Sequence, residues 1–289
     1  MLYVFLSIFC SVVVSVLFKL ARRYQIDVLQ AITWNFTAAI LLIGFIYKPS
    51  INQQILSSVP IYSYIGLGIL LPILFLLISA SIRINGIVLT TIVDRLSLFI
   101  PLIISYLIFH SELDNIKLIA LALCFIAIVC IVPWKRTSKR SAGGWMYLLA
   151  LFIGMGVSLL LFRQLATYAI PNTSSLFIVF IVSFITSIVF LIVNISRKKT
   201  QFSWPHILIG WIMGLAFFGF IIFNMQIHKA MATQPRAAFS ALNVGVITLA
   251  MMIGLFIFNE RLTKLNKLGI FLALVAIIVV ANTDLVNAF

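Results

Sequence analysis

The chain has 289 residues, 63% of them hydrophobic and only 9% charged, with a mean hydropathy of +1.22. Soluble domains are roughly a quarter charged, so too few polar side chains are present to cover a water-facing surface, and a soluble globular protein is excluded. The net charge of +14 does not indicate nucleic acid: the basic residues sit in short clusters between apolar runs, where they act as topology signals and contacts for anionic lipid headgroups.

The N-terminal MLYVFLSIFCSVVVSVLF lacks the basic region of a signal peptide and reads as a first spanning helix retained in the mature protein. About 20 mostly apolar residues cross a hydrocarbon core of about 30 Å. By that measure ten runs are long enough: about 2–20, 28–47, 60–82, 86–109, 115–133, 145–165, 173–195, 205–227, 236–258 and 265–283. Short polar or turn-rich segments separate them. The expected fold is therefore all-α: a polytopic membrane protein with ten transmembrane helices and no separate soluble domain. Pro72 and Pro101 are expected to kink spans three and four. Gly210-x-x-x-Gly214 in span eight predicts a close helix–helix contact. Cys10, Cys124 and Cys130 lie inside apolar runs without a Cys-x-x-Cys pair, which argues for packing rather than disulfides or metal.

The longest polar interruption, PWKRTSKRSAGG at 133–144, divides the chain into five spans and five spans. The boundaries expected are a first five-helix repeat at 1–134, a basic cytoplasmic linker at 135–144 and a second repeat at 145–289. VSVLFK (14–19) resembles VSLLLFR (157–163), setting Lys19 against Arg163. FHSELDNIKLIALALCFIAIVCIV (109–132) resembles FNERLTKLNKLGIFLALVAIIVVA (258–281), setting Glu112 against Glu260. Repeats of five spans must insert in opposite orientations. Basic residues follow that rule: loops after odd-numbered spans carry Lys19, Arg22 and Arg23, the linker cluster, Arg197, Lys198 and Lys199, and Arg261, Lys264 and Lys267, whereas loops after even-numbered spans are poor in Lys and Arg. Positive-inside logic then places the odd loops in the cytoplasm and both termini outside.

Ten spans in two halves, each closing with a Glu-bearing turn and a small-residue-rich last helix, resemble the EamA-type permeases of the drug/metabolite transporter superfamily. FNERLTKLNKLGIFLALVAIIV (258–279) is the most specific stretch, and SELDNIKLIALAL (111–123) is its weaker first-half copy. Asn259 and Ser111 stand where a Gly commonly precedes the Glu in that family. The resemblance implies a multi-pass transporter of a bacterial inner membrane, working without a cofactor on a small metabolite, amino acid or drug-like compound.

Asp94 and Arg95, within IVLTTIVDRLSLFIPLII (87–104), head the candidate site residues. At the centre of a spanning helix each costs roughly 2.5–3.5 kcal/mol, so each needs a partner or an aqueous cavity. Neighbours on a helix point about 100° apart, so each is expected to meet another element rather than simply neutralise the other. Arg95 suits a carboxylate or phosphate through paired hydrogen bonds. A carboxyl group in a partly dry cavity can exchange a proton near neutral pH, which makes Asp94 the candidate coupling-ion (proton) site. Structural pairing of either residue within the bundle is the competing reading.

Asn243 is the leading second-half candidate for a substrate hydrogen bond, with interhelical bonding as the alternative. Asn224 and Gln226 late in span eight, and Trp34 and Asn35 in span two, complete the substrate-binding set. Glu112 and Glu260 are expected in structural turns, accepting N–H groups at the start of spans five and ten. His110, His206 and His228 are isolated, and no metal site is expected.

The chain carries no Walker motif, so energy would come from an ion or counter-substrate gradient. A secondary transporter is the first reading; a lipid-linked substrate flippase or assembly subunit of the same fold, and a polytopic lipid-modifying enzyme, are the alternatives. Ten helices can enclose a cavity unaided, so a monomer suffices, though a homodimer is compatible.

Overall fold

The computed structural model describes residues 2–49, 61–109, 115–131, 143–166, 168, 171–198, 202–231 and 235–281. Glu112, His110 and most of the 135–144 linker lie outside them. The helices are α1 (Leu2–Arg23), α2 (Val28–Tyr47), α3 (Ile61–Asn85), α4 (Ile87–Leu96), α5 (Phe99–Phe109), α6 (Asn115–Ile131), α7 (Gly144–Ala166), α8 (Asn172–Ser196), α9 (Trp204–Ala230), α10 (Pro235–Met252) and α11 (Lys264–Ala281). A five-residue π-helical turn, Ile253–Ile257, extends α10. Among the described residues, nine spans are long and apolar enough to cross a bilayer, and the shorter apolar helix Leu118–Ile131 stands at the expected fifth span. The protein is an all-α, multi-pass membrane protein.

Local chemistry sets the boundaries. Asp27 caps α2, its Oδ1 accepting from the N–H groups of Leu29 and Gln30 at 2.8 and 3.2 Å. Thr263 does the same for α11 through Asn266 N–H at 3.1 Å. Polar side chains inside spans bond back to a carbonyl one turn earlier, as Thr33 to Leu29, Ser183 to Val179 and Asn243 to Phe239. This satisfies them where hydrocarbon supplies no partner.

Span four is not one kinked helix as expected. It breaks into α4 and α5 at Ser97–Leu98. Pro101 explains the position: its ring nitrogen cannot donate to Ser97 C=O four residues earlier, and its ring crowds that carbonyl. Ser97 Oγ donates to Asp94 C=O, and Ile100 N–H donates to Ser97 C=O at 3.0 Å. The other proline, Pro72, is accommodated within an unbroken α3.

The halves interlock by exchange. α1 packs on α9 as α7 packs on α3; α2 packs on α9 as α8 packs on α3; α2 meets α8, α4 meets α10, and α6 meets α11. Individual contacts repeat under the same exchange. Cys10 of α1 faces Gly219 of α9, and Gly154 of α7 faces Leu74 of α3. Gly210 and Gly214 press on the α2 backbone: a Cβ on Gly210 would stand 2.7 Å from Ala31 O, and one on Gly214 2.8 Å from Asn35 O. The small-residue contact expected in span eight is thus made with span two.

Candidate functional site

Where the halves meet, side chains from α1, α3, α4, α7, α8 and α9 enclose a hollow of about 290 Å³. A second hollow of about 470 Å³ adjoins it and shares Arg95, Leu98, Leu159, Phe162, Leu176 and Phe220 as lining. The second reaches the exposed residues Arg163, Ala166 and Asn172 at the end of the bundle carrying the even-numbered loops. Together they form one passage from mid-bundle to that end.

Asp94 lines the inner hollow and Arg95 lines both. Their side chains retain 20% and 14% of their exposure. Contrary to the expectation from ideal helix geometry, they do contact each other: Arg95 Nε lies 3.6 Å from Asp94 Oδ2. Both sit in the last turn of α4, next to the break. Arg95 also meets another element, as expected, donating from Nη2 to Ser11 Oγ of α1 at 3.1 Å. A pair in the wall of a cavity can stay hydrated, at lower cost than in lipid.

The inner hollow is otherwise aromatic and hydroxylic. Phe75 packs against Phe18, Phe36 and Phe217 at ring-centroid distances of 5.8, 5.6 and 5.1 Å, and Phe180 against Phe217 at 5.6 Å. Of these, Phe18, Phe75, Phe180 and Phe217 face the hollow, with Thr90, Thr91, Ser97 and Ser158 between them. On α1, Ser7, Ser11, Ser15 and Lys19 recur every four residues and form one polar ridge: Ser7 donates to Phe220 C=O, Ser11 and Ser15 line the hollow, and Lys19 pairs with Glu260. That spacing was present in the sequence, hidden among small residues.

The second hollow holds Asn224 and Asn243. Asn243 is 3% exposed; its Nδ2 donates to Phe239 C=O at 2.9 Å, while its buried Oδ1 has no hydrogen-bond partner among the described residues. The structure thus gathers Asp94, Arg95, Asn224 and Asn243 on one passage. It leaves Trp34, Asn35 and Gln226 off the lining. Trp34 and Asn35 lie on the α2 face pressed by Gly210 and Gly214. His206 Nδ1 stands 3.3 Å from Gln30 Oε1.

Glu260 corrects its expected position. It does cap a helix, but that helix is α4 of the opposite half: Oε1 accepts from Ile87 N–H at 2.7 Å and Oε2 from Val88 N–H at 3.2 Å. Lys19 Nζ binds Oε1 at 2.9 Å. The cap expected of it on span ten is supplied by Thr263 instead.

These observations agree with the comparisons to known proteins. The sequence model of the EamA-like transporter family matches residues 1–133. The chain is also 33% identical to an uncharacterized protein of Haemophilus influenzae, with 98% of each chain covered. With its stacked apolar spans, its interlocked halves and its central hollow, the chain belongs to the EamA-like transporter family, within the drug/metabolite transporter superfamily.

Proposed function

We propose that the chain is a secondary transporter that moves a small amphipathic solute bearing an acidic group, by alternating access through the Asp94–Arg95 hollow. The observation carrying this reading is a guanidinium and a carboxylate side by side in the wall of a cavity at the seam between the halves. Inverted repeats favour a cargo site at that place.

In this reading Arg95 receives the acidic group of the cargo, which displaces its contact with Asp94. The apolar body lies among Phe18, Phe75, Phe180 and Phe217. Asn243 Oδ1 and Asn224 serve cargo nearer the mouth. Asp94, released from Arg95, is the coupling group. Positive-inside logic assigns the odd-loop end to the cytoplasm of a bacterial inner membrane, so the described state opens outward.

Purified protein in liposomes tests this against a panel of apolar acids, amino acids and hydrophobic cations under imposed proton gradients. The acidic members should be moved. Asp94→Asn should abolish gradient-driven accumulation and keep cargo exchange; full gradient-driven transport by that variant would refute the coupling role. Folded protein that moves no member of the panel would refute the transporter reading.

A further inference from the structure

The helix that carries Asp94 and Arg95 is a short rod held at its far end by the other half of the protein. α4 has ten residues, about 15 Å of helix. Gly86 precedes it at φ +94°, and the Ser97–Leu98 break follows it. Both ends are therefore hinged, and one hydroxyl pair, Ser81 Oγ and Thr90 Oγ1 at 2.8 Å, ties its middle to α3. Its first N–H groups have no partner within the helix, and Glu260 takes two of them.

Glu260 reaches this position by an unusual local path. The π-helical turn Ile253–Ile257 ends at Phe258, Asn259 adopts φ +51°, and Glu260 N–H returns to Gly254 C=O at 2.9 Å. Such π turns are over-represented at functional positions. Two glycines make room for the carboxylate: a Cβ on Gly86 would lie 2.5 Å from Glu260 Oε2, and one on Gly254 would lie 3.1 Å from it and collide with Val88. Lys19 supplies the counter-charge and also lies 5.8 Å from the Phe258 ring. The end of span one and the turns after spans three and nine thus converge on one carboxylate that is only 10% exposed. Phe18, packed on Phe75, lines both the cargo hollow and a vestibule formed by Gln25, Asp27, Arg83 and His206.

We propose that Glu260 is the latch of the odd-loop gate: its grip on Ile87, Val88 and Lys19 holds that end shut, and α4 transmits cargo binding at Asp94–Arg95 to it. Cargo that shifts the C-terminal end of α4 tilts the rod about Gly86. The tilt draws Ile87 and Val88 N–H away from the carboxylate and frees Lys19, at the foot of the serine ridge, to move with α1. Glu260 is a positioning residue and touches no cargo. The inference rests on the alternating-access reading above.

The test is accessibility from each face. In a background with Cys10, Cys124 and Cys130 replaced by Ala, a Ser15→Cys reporter in the hollow is labelled by a membrane-impermeant maleimide in sealed vesicles of both orientations. Without further change it should label from the even-loop face. Glu260→Gln keeps the shape and loses the charge; it should shift the ratio of rates toward the odd-loop face by roughly tenfold, the scale of one hydrogen bond to a charged group. Gly86→Ala, which crowds the same carboxylate, should shift it in the same direction. A second reporter, Asn172→Cys at the exposed mouth, should keep its rate from the even-loop face in every variant, and a thermal melt in detergent shows that each variant is folded. Unchanged ratios in both variants, with or without lowered melting temperature, would make Glu260 a static brace and overturn the proposal. Cargo flux is measured on the same vesicles. Flux with unchanged ratios removes the latch alone; shifted ratios without flux uphold the latch and remove the transporter reading.

Discussion

Arg95 Nη2 and Ser11 Oγ, 3.1 Å apart, join α4 to α1 across the wall of the hollow. The bond uses one arm of a planar fork and leaves Nε buried with Asp94 at 3.6 Å as its nearest charge. A guanidinium so held can exchange one contact for a cargo oxygen without losing the other. Lysine has a single compact charge and no fork. Arg95→Lys should therefore lower flux at least tenfold, the scale of one charge-assisted hydrogen bond. Ser11→Ala should raise KM several-fold and leave kcat nearly unchanged, because the charge remains and only its aim is lost. Initial rates in proteoliposomes decide this; wild-type rates in Arg95→Lys would reduce Arg95 to a packing residue.

Two glycine–isoleucine contacts between spans test the packing energetically. Gly156 of α7 receives Ile100 of α5, and Gly245 of α10 receives Ile8 of α1. A Cβ on Gly156 would lie 2.5 Å from Ile100 Cβ, close to the backbone, whereas one on Gly245 would meet chiefly the flexible tip of Ile8. Overpacking of this kind costs about 1–3 kcal/mol. Gly156→Ala should lower the melting temperature in detergent more than Gly245→Ala, and Ile8→Val should rescue the latter. Equal losses, or no rescue, would contradict the packing described.

The many-span, repeated architecture and the need of Asp94 and Arg95 for a setting other than lipid were legible, because hydropathy and charge are summed along the chain and need no knowledge of neighbours. What the sequence could not supply was partnership across the fold. Glu260 was recognisable as a helix cap, but its helix begins 173 residues away, and nothing local names it. Asn35 illustrates the converse. An amide in a membrane span suggests cargo, yet Asn35 is fully buried beside Gly214, and neither amide atom has a hydrogen-bond partner among the described residues; the face of the helix it occupies, which composition does not encode, removes it from the passage. The break in span four was displaced for a physical reason. Proline acts on the carbonyl four residues before it, so Pro101 opens the helix immediately after Asp94 and Arg95 rather than at itself.

That displacement yields a further prediction. With Pro101→Ala, residue 101 regains an N–H able to reach Ser97 C=O, and the ring no longer crowds that carbonyl. The helix can then run on from α4 to α5, and alanine is the strongest helix former. Stability should rise, by up to about 3 kcal/mol if the break heals fully, and the melting temperature in detergent should rise with it. Transport should move the other way. A rod fused to its neighbour can no longer tilt independently, so kcat should fall while cargo binding, set by side chains that have not changed, keeps its affinity. The measurements are a thermal melt, an equilibrium binding titration and turnover on one preparation. A variant that is more stable and equally fast would show that the break at Ser97–Leu98 shapes the cavity but takes no part in its motion.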